Sequence, residues 1–434
     1  MRIGVIGIGY VGLTLACLAG FGNKIMFVGR SQDKISNLKG GILPIYEKGL
    51  DEIVTSNLKK RNIDATTDFS KLSETDIIFI CVGTPSSDDG SIDLSQIKAA
   101  SENLGNLLKH TDDYKTIVVK STVVPGTTKN VIIPILEKFS GKKAGIDFGV
   151  CMSPEFLREG AGVHDFLNPD KIVIGGYNEK SSNALKKLYE FYGDKVPVIT
   201  TNLNTAEMVK YAQNAALASR ISFINEIANI CEKFDVDVYD VSYAIGLDTR
   251  IGSKFLNAGA GFGGSCFPKD VKALLSSAKS VGINPILLDA ILEVNKNQPY
   301  RMVELAKEVL GELRGKTIAI LGLAFKSDTD DIREASSIPI VNALLMENSA
   351  IKAYDPQAME NAKKIFSGSI TYCSSKEECL QGADLCMIVT EWDEFKQIDF
   401  SKIKCPVIDG RRIFNPAEVK QYGLVYKGIG WRNN

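Results

Sequence analysis

Histidine is nearly missing: His110 and His164 are the only two in 434 residues, so chemistry that leans on several imidazoles is excluded and proton transfer falls to Lys, Asp or Glu. The nine cysteines form no CxxC pair and no Cys/His cluster at zinc spacing. That pattern gives no metal site to expect, and it points to free thiols in a reducing cytoplasm. Neither charge sign prevails. Lys plus Arg number 51 against 52 for Asp plus Glu, a net charge of -1 that offers no general attraction to nucleic acid or to an anionic membrane. Residues 3–22 carry no charge and match a membrane span in length, but six glycines interrupt them where a signal sequence needs an unbroken apolar core. With 44% hydrophobic and 24% charged residues, the composition is that of a globular chain, long enough for two or three domains.

The β-branched run at residues 2–8 leads through Gly7-Ile8-Gly9-Tyr10-Val11-Gly12 into the helical stretch 13–19. Further strands are expected at 25–28, 76–82, 116–120 and 171–174, with amphipathic stretches such as 94–108 between them. This alternation predicts a parallel sheet covered by helices on both faces. Residues 204–234 then run without Pro or Gly and with apolar side chains at helical spacing, which predicts one long helix, and helical sequence continues to about 309. Strands return from Thr317, where the sequence echoes the opening strand and turn. The expected fold class is α/β, with two doubly wound Rossmann-like domains (1–195 and 310–434) bridged by a central helical domain (196–309).

Four stretches carry chemistry. The GxGxxG turn permits close backbone approach to a pyrophosphate at the start of a helix, against the plainer reading of a merely tight turn. In residues 261–270, glycines precede Cys266, and Pro268 reads as the first turn of a helix. Cys266 then lies just before a helix amino terminus, where the dipole and nearby lysine stabilise a thiolate; a small buried hydrophobe is the alternative. Ser153 to Gly160 sets acidic and basic residues at the carboxyl end of a strand, where ligand crevices form, although solvated loop charges fit as well. Lys210 and Asn214 are an i, i+4 pair able to present an ammonium and an amide to one ligand.

Taken in order, these stretches resemble the nucleotide-sugar 6-dehydrogenases, the UDP-glucose/GDP-mannose dehydrogenase family, over nearly the whole chain. The resemblance also rests on Leu43-Pro44-Ile45-Tyr46-Glu47, Val82-Gly83-Thr84-Pro85, Ser121-Thr122-Val123 and Pro154-Glu155-Phe156-Leu157-Arg158-Glu159. Toward the carboxyl end it rests on Arg250-Ile251-Gly252-Ser253-Lys254-Phe255, the 263–270 loop, Gly322-Leu323-Ala324-Phe325-Lys326, Arg333-Glu334 and Asp409-Gly410-Arg411-Arg412.

The resemblance implies a four-electron oxidation of UDP-glucose to UDP-glucuronate with two nicotinamide cofactors, through a thiohemiacetal and a thioester on Cys266. Lys210 would stabilise the oxyanion and shuttle protons, Asp270 and Asn214 would hold a water, Glu155 would assist thioester hydrolysis and Thr122 would order that water. Sugar-nucleotide contacts would fall on Glu155, Phe156, Leu157, Lys210 and Asn214, and on Arg250, Phe255, Gly263, Lys326 and Arg411. Cofactor contacts would fall on Gly7, Ile8, Gly9, Tyr10, Val11 and Gly12, and on Lys34, Thr84, Thr122, Glu159 and Arg333. The first domain would bind the cofactor and the third the UDP-sugar, with a homodimer formed through the long helix.

Relatives acting on UDP-N-acetyl sugars usually carry Arg where Phe156 stands, and GDP-mannose relatives share the Pro-Glu-Phe-Leu-Arg-Glu run. Residues 247–256 favour the UDP-glucose branch, with a UDP-N-acetylhexosamine 6-dehydrogenase second. A single-hydride hydroxy-acid dehydrogenase and an inactive sugar-nucleotide-binding regulator are the alternatives of other classes. One departure stands out: where NAD-using relatives carry Asp for the adenine ribose, this chain has Gly29, followed by Arg30 and Ser31. NAD is the family's cofactor, yet this change removes the repulsion against a 2′-phosphate and leaves NADP open. Arg30 either meets that phosphate or stacks on adenine.

Overall fold

The structure, a computed structural model, describes residues 1–431, so the end of the 310–434 segment lies outside the described residues. The chain divides into two compact units, and the division falls between Gln213 and Asn214, inside the single helix Leu203–Cys231. That helix is the long one expected from residue 204 onward. It stops three residues short of Phe234, which is exposed.

The first unit is built on an eight-stranded sheet of β1 (Arg2–Ile6), β2 (Lys24–Val28), β3 (Ile63–Thr66), β4 (Ile77–Ile80), β5 (Thr116–Val119), β6 (Gly149–Met152), β7 (Ile172–Gly176) and β8 (Val198–Thr201). The order is β3-β2-β1-β4-β5-β6-β7-β8, so the chain reverses direction across the sheet between β1 and β4, the place where such sheets bind ligands. β4, β5 and β6 are wholly buried apolar runs, as strands covered on both faces must be. The expectation of an all-parallel sheet needs correction, because β6 and β7 pair antiparallel. Between them the chain makes only the short helix Gly162–Leu167 and does not cross back, so residues 153–171 stay at the carboxyl end of β6. The first helix also differs from the expected stretch. It is α-helical over Tyr10–Thr14 and tightens to a 3-10 helix over Leu15–Phe21, ending at Gly22 in the left-handed region.

In the second unit the helices Val238–Gly246, Phe267–Ser280 and Ile286–Leu310 precede a six-stranded sheet. Its strands are β9 (Thr317–Leu321), β10 (Ala350–Tyr354), β11 (Thr371–Tyr372), β12 (Leu385–Ile388), β13 (Val407–Asp409) and β14 (Tyr426–Gly428), all parallel, in the order β11-β10-β9-β12-β13-β14. This repeats the core order of the first sheet. The turn after β9 nevertheless differs from the turn after β1. Asp355, at the carboxyl end of β10, accepts hydrogen bonds from the Leu323 and Ala324 amides at 2.7 and 3.0 Å and from the Trp392 indole at 3.1 Å. The amides that open the second turn are thus occupied by the chain's own carboxylate.

Candidate active site

In the first unit, three buried charges gather at the carboxyl ends of β5 and β6. Glu155 receives the Lys210 ammonium at 2.8 Å on one carboxylate oxygen and the Leu157 amide at 2.7 Å on the other. Burial alone would raise the Glu155 carboxyl. The Lys210 charge and hydrogen bond, the Leu157 N–H and the Lys120 charge overcome it and hold the group below the ordinary carboxylate range. Lys120 donates to the carbonyls of Ser153 and Pro154 at 3.1 and 3.4 Å, and burial pushes its amine down to about 8 against the pull of Cys81 and Glu155. The Phe156 ring lies beneath the Lys171 ammonium at 4.3 Å and the Lys210 ammonium at 5.7 Å. Glu47 accepts from the Gly160 and Gly162 amides at 2.8 and 2.7 Å, and Tyr10 donates to the Arg158 carbonyl, so the loop carrying Glu159 is tied down at both ends. Thr84, after β4, donates to the Thr122 carbonyl at 2.9 Å.

The dinucleotide turn can be tested glycine by glycine. A Cβ on Gly7 would lie 2.4 Å from the Cys81 carbonyl oxygen and one on Gly12 2.1 Å from the Gly7 oxygen, so packing accounts for both. A Cβ on Gly9 would meet nothing within 4 Å. The protein therefore does not itself require glycine there, whereas close approach of a pyrophosphate to the backbone does. The residues fit NAD at this turn. Gly9→Ala is expected to leave the melting temperature unchanged and to raise the KM for NAD by about tenfold or more, roughly 1.4 kcal/mol; an unchanged KM would place the cofactor elsewhere.

In the second unit, Cys266 occupies the N-cap position of the helix Phe267–Ser280, with Pro268 in its first turn, as expected. It is the one cysteine of nine that is not buried. Asn214 donates to Asp270 at 2.6 Å, and Lys269 meets the other Asp270 oxygen at 2.5 Å. The two groups expected to share a water are thus in direct contact. The glycine loop before Cys266 is held from several sides: Asn225 accepts from the Gly259 amide, Asn295 both accepts from the Phe262 amide and donates to its carbonyl, and Gly264 donates to the Arg333 carbonyl. A Cβ on Gly263 would lie 2.2 Å from the Glu334 oxygen, so that position is glycine for packing.

The other residues implied by the resemblance are spread over loops at strand ends. Arg411, after β13, is fixed by the Val389 and Phe325 carbonyls and by Glu391, and Lys326 follows the turn after β9. Arg250 forks onto Asp248 and Arg333 onto Asp331, while Phe255 adopts a φ of 64° and sets its ring edge against Phe267. Lys34 uses its amide for the Ser31 cap of its own helix. Arg30 donates to Gln96 at 3.1 Å. No group of three or more His, Cys, Asp or Glu side chains that could hold a metal occurs among the described residues, and no helix among them is long and apolar enough to cross a membrane. Sequence reasoning missed the roles of Lys120, Glu47, Lys171 and Lys269. A lysine at the end of an apolar strand was the one available signal, at Lys120.

Fold and domain content define an NAD-dependent oxidoreductase. The NAD binding domain of the UDP-glucose/GDP-mannose dehydrogenase family matches residues 1–192, its central domain 204–297 and its UDP binding domain 319–416, so the chain belongs to that family. It is 45% identical to the UDP-glucose 6-dehydrogenase AglM of Haloferax volcanii, over 99% of this chain and 100% of that protein. Among solved structures, a UDP-glucose dehydrogenase from Pyrobaculum islandicum is 36% identical with a TM-score of 0.93, covering 99% of this chain and 98% of that one. A UDP-D-ManNAc dehydrogenase from Pyrococcus horikoshii is 29% identical with a TM-score of 0.88, covering 99% of both.

Proposed function

We propose that the protein oxidises UDP-glucose to UDP-glucuronate in two successive oxidations, the second through a covalent stage on Cys266. The carrying observation is Cys266 itself, a partly exposed thiol at a helix amino end in a chain whose eight other thiols are buried. Its thiolate adds to the aldehyde carbon to give a thiohemiacetal, oxidation gives a thioester, and water releases the carboxylate and regenerates the thiolate. Bound NAD supplies the hydride acceptor for each oxidation.

Lys210 stabilises the oxyanion and moves the proton of the alcohol, and its buried contact with Glu155 supports that reading because an ionised carboxylate at 2.8 Å fixes the ammonium in place. Glu155 then activates the hydrolytic water, which Thr122 orders. Asn214 and Asp270 fix the amino end of the helix that bears Cys266. Phe156 and Leu157 face the sugar, and Arg250, Phe255, Lys326 and Arg411 grip the UDP moiety.

The test is a panel of UDP-glucose, UDP-N-acetylglucosamine, UDP-N-acetylmannosamine and GDP-mannose, with reduced cofactor and acid product counted. Two reduced cofactors per UDP-glucose are expected. One per sugar, or turnover of an N-acetylated sugar in preference, overturns the proposal. The protein works in the cytoplasm as a homodimer through the long helix; the exposed Phe223 and Ile230, two turns apart on it, support that interface.

The cofactor preference follows from Gly29. NAD is used, with poor discrimination against NADP, because Gly29 stands where the family's Asp would repel a 2′-phosphate and the adjacent Arg30 is exposed. The nearest atoms a Cβ on Gly29 would meet belong to the Ile8 and Ile35 side chains, at 3.1 to 3.3 Å, so Gly29→Asp calls for small shifts of those side chains. The expected result is a kcat/KM ratio moved toward NAD in Gly29→Asp. A wild-type preference for NAD of about a hundredfold or more, roughly 2.7 kcal/mol, rules the idea out.

A further inference from the structure

We propose that Arg220 is a positioning residue for sugar-nucleotide recognition, holding the backbone of residues 250–255 in the conformation that presents Arg250 and Phe255. The inference rests on the proposed function for the role of those two side chains. The geometry stands without it.

Arg220 lies on the long helix, half-buried, and spends three different nitrogens on three different carbonyls of one loop: Nε on Lys254 at 2.9 Å, Nη1 on Ile251 at 2.8 Å and Nη2 on Gly252 at 2.6 Å. The amides of Ile251 and Gly252 turn the other way and donate to the Asp248 carbonyl at 2.9 and 2.8 Å. The Ile251 and Gly252 amides are therefore satisfied from within the loop, and the carbonyls of Ile251, Gly252 and Lys254 by one guanidinium. A planar fork can span carbonyls that diverge in this way, whereas an ammonium is a compact point charge.

The conformation needs such a restraint. Gly252 has a φ of 71° and Phe255 a φ of 64°, and a bulky residue stays in the left-handed region only where its surroundings over-determine it. The Lys254 carbonyl held by Arg220 belongs to the peptide that enters Phe255. The Phe255 ring in turn meets Phe267 edge-on, with centroids 6.2 Å apart, and Phe267 directly follows Cys266. Arg220 thus acts on the reacting end of the molecule through backbone and ring packing, without touching a ligand.

The test compares wild type, Arg220→Gln and Arg220→Lys with UDP-glucose and NAD. Arg220→Gln is expected to raise the KM for UDP-glucose by about tenfold or more, with the KM for NAD unchanged and kcat within about threefold; Arg220→Lys falls between the two. If kcat falls and KM stays, as for a protein that is merely less folded, the positioning role is wrong. Hydrogen exchange supplies a reading independent of activity. The amides of Ile251 and Gly252 should exchange about tenfold faster in Arg220→Gln while those of the β9 to β14 sheet do not change. Unchanged exchange in the loop overturns the proposal. A wild type inactive on UDP-glucose sinks the proposed function instead and leaves the exchange result to decide.

Discussion

Cys266→Ser is expected to abolish steady-state formation of the uronate, by roughly three orders of magnitude or more in kcat, because a serine hydroxyl is a far weaker nucleophile than a thiolate at neutral pH. The fold should not suffer. Cys266 makes no side-chain cap bond at the helix it starts, and serine replaces it with a near-isosteric side chain, so the melting temperature should stay close to the wild-type value. UDP-glucose affinity, read by calorimetry, should stay close to the wild-type value. A slow, stoichiometric reduction of cofactor fits the covalent scheme, since the first oxidation does not need the thiol. Steady-state production near the wild-type rate removes Cys266 from the mechanism.

The second large effect belongs to Lys210→Ala, with kcat falling by roughly two or more orders of magnitude and KM by comparison little changed. A rise in KM at constant kcat would mean that Lys210 only binds. This variant also carries a stability cost, because truncating one partner of a buried ion pair typically costs about 3–5 kcal/mol, lessened here by Lys120 nearby. Its pH dependence has a definite sign. The folded Glu155 carboxyl lies below its unfolded value, so its contribution is present at neutral pH and is lost as pH falls through the folded value. Without Lys210 the carboxyl rises, and the gap in melting temperature between wild type and variant should close in acid. Activity is therefore compared at a temperature where both are folded.

What could be read beforehand was local in sequence. The glycine turn, the Pro-led helix after Cys266 and the one-turn spacing of Lys210 and Asn214 are patterns a few residues long, and each sits where such patterns put it. What could not be read was long-range. Lys120 reaches Ser153 across 33 positions, Arg220 reaches Lys254 across 34, and Glu47 reaches Gly160 across 113. Nothing in the periodicity near those residues announces a partner. Strand direction is equally silent, since the alternation of β7 is the same whichever way it pairs with β6, and the direction is decided by how short the intervening connection is. β8 escaped notice because it is largely exposed at the sheet edge and ends in two threonines, with little apolar signal. The echo of β1 in β9 foretold a second sheet of the same order, but only side-chain geometry revealed that Asp355 fills its turn.

The uneven burial of the thiols turns the protein into its own folding gauge. Burial pushes Cys17, Cys81 and Cys151 up to about 12 and Cys405 up to about 11, and the remaining interior thiols are raised as well. Toward a polar alkylating reagent at neutral pH the native chain behaves as though it held a single sulfur, and the unfolded chain as though it held nine. Mass added per molecule therefore reports the unfolded fraction of a sample, and occupancy of the one native position reports how many molecules remain competent.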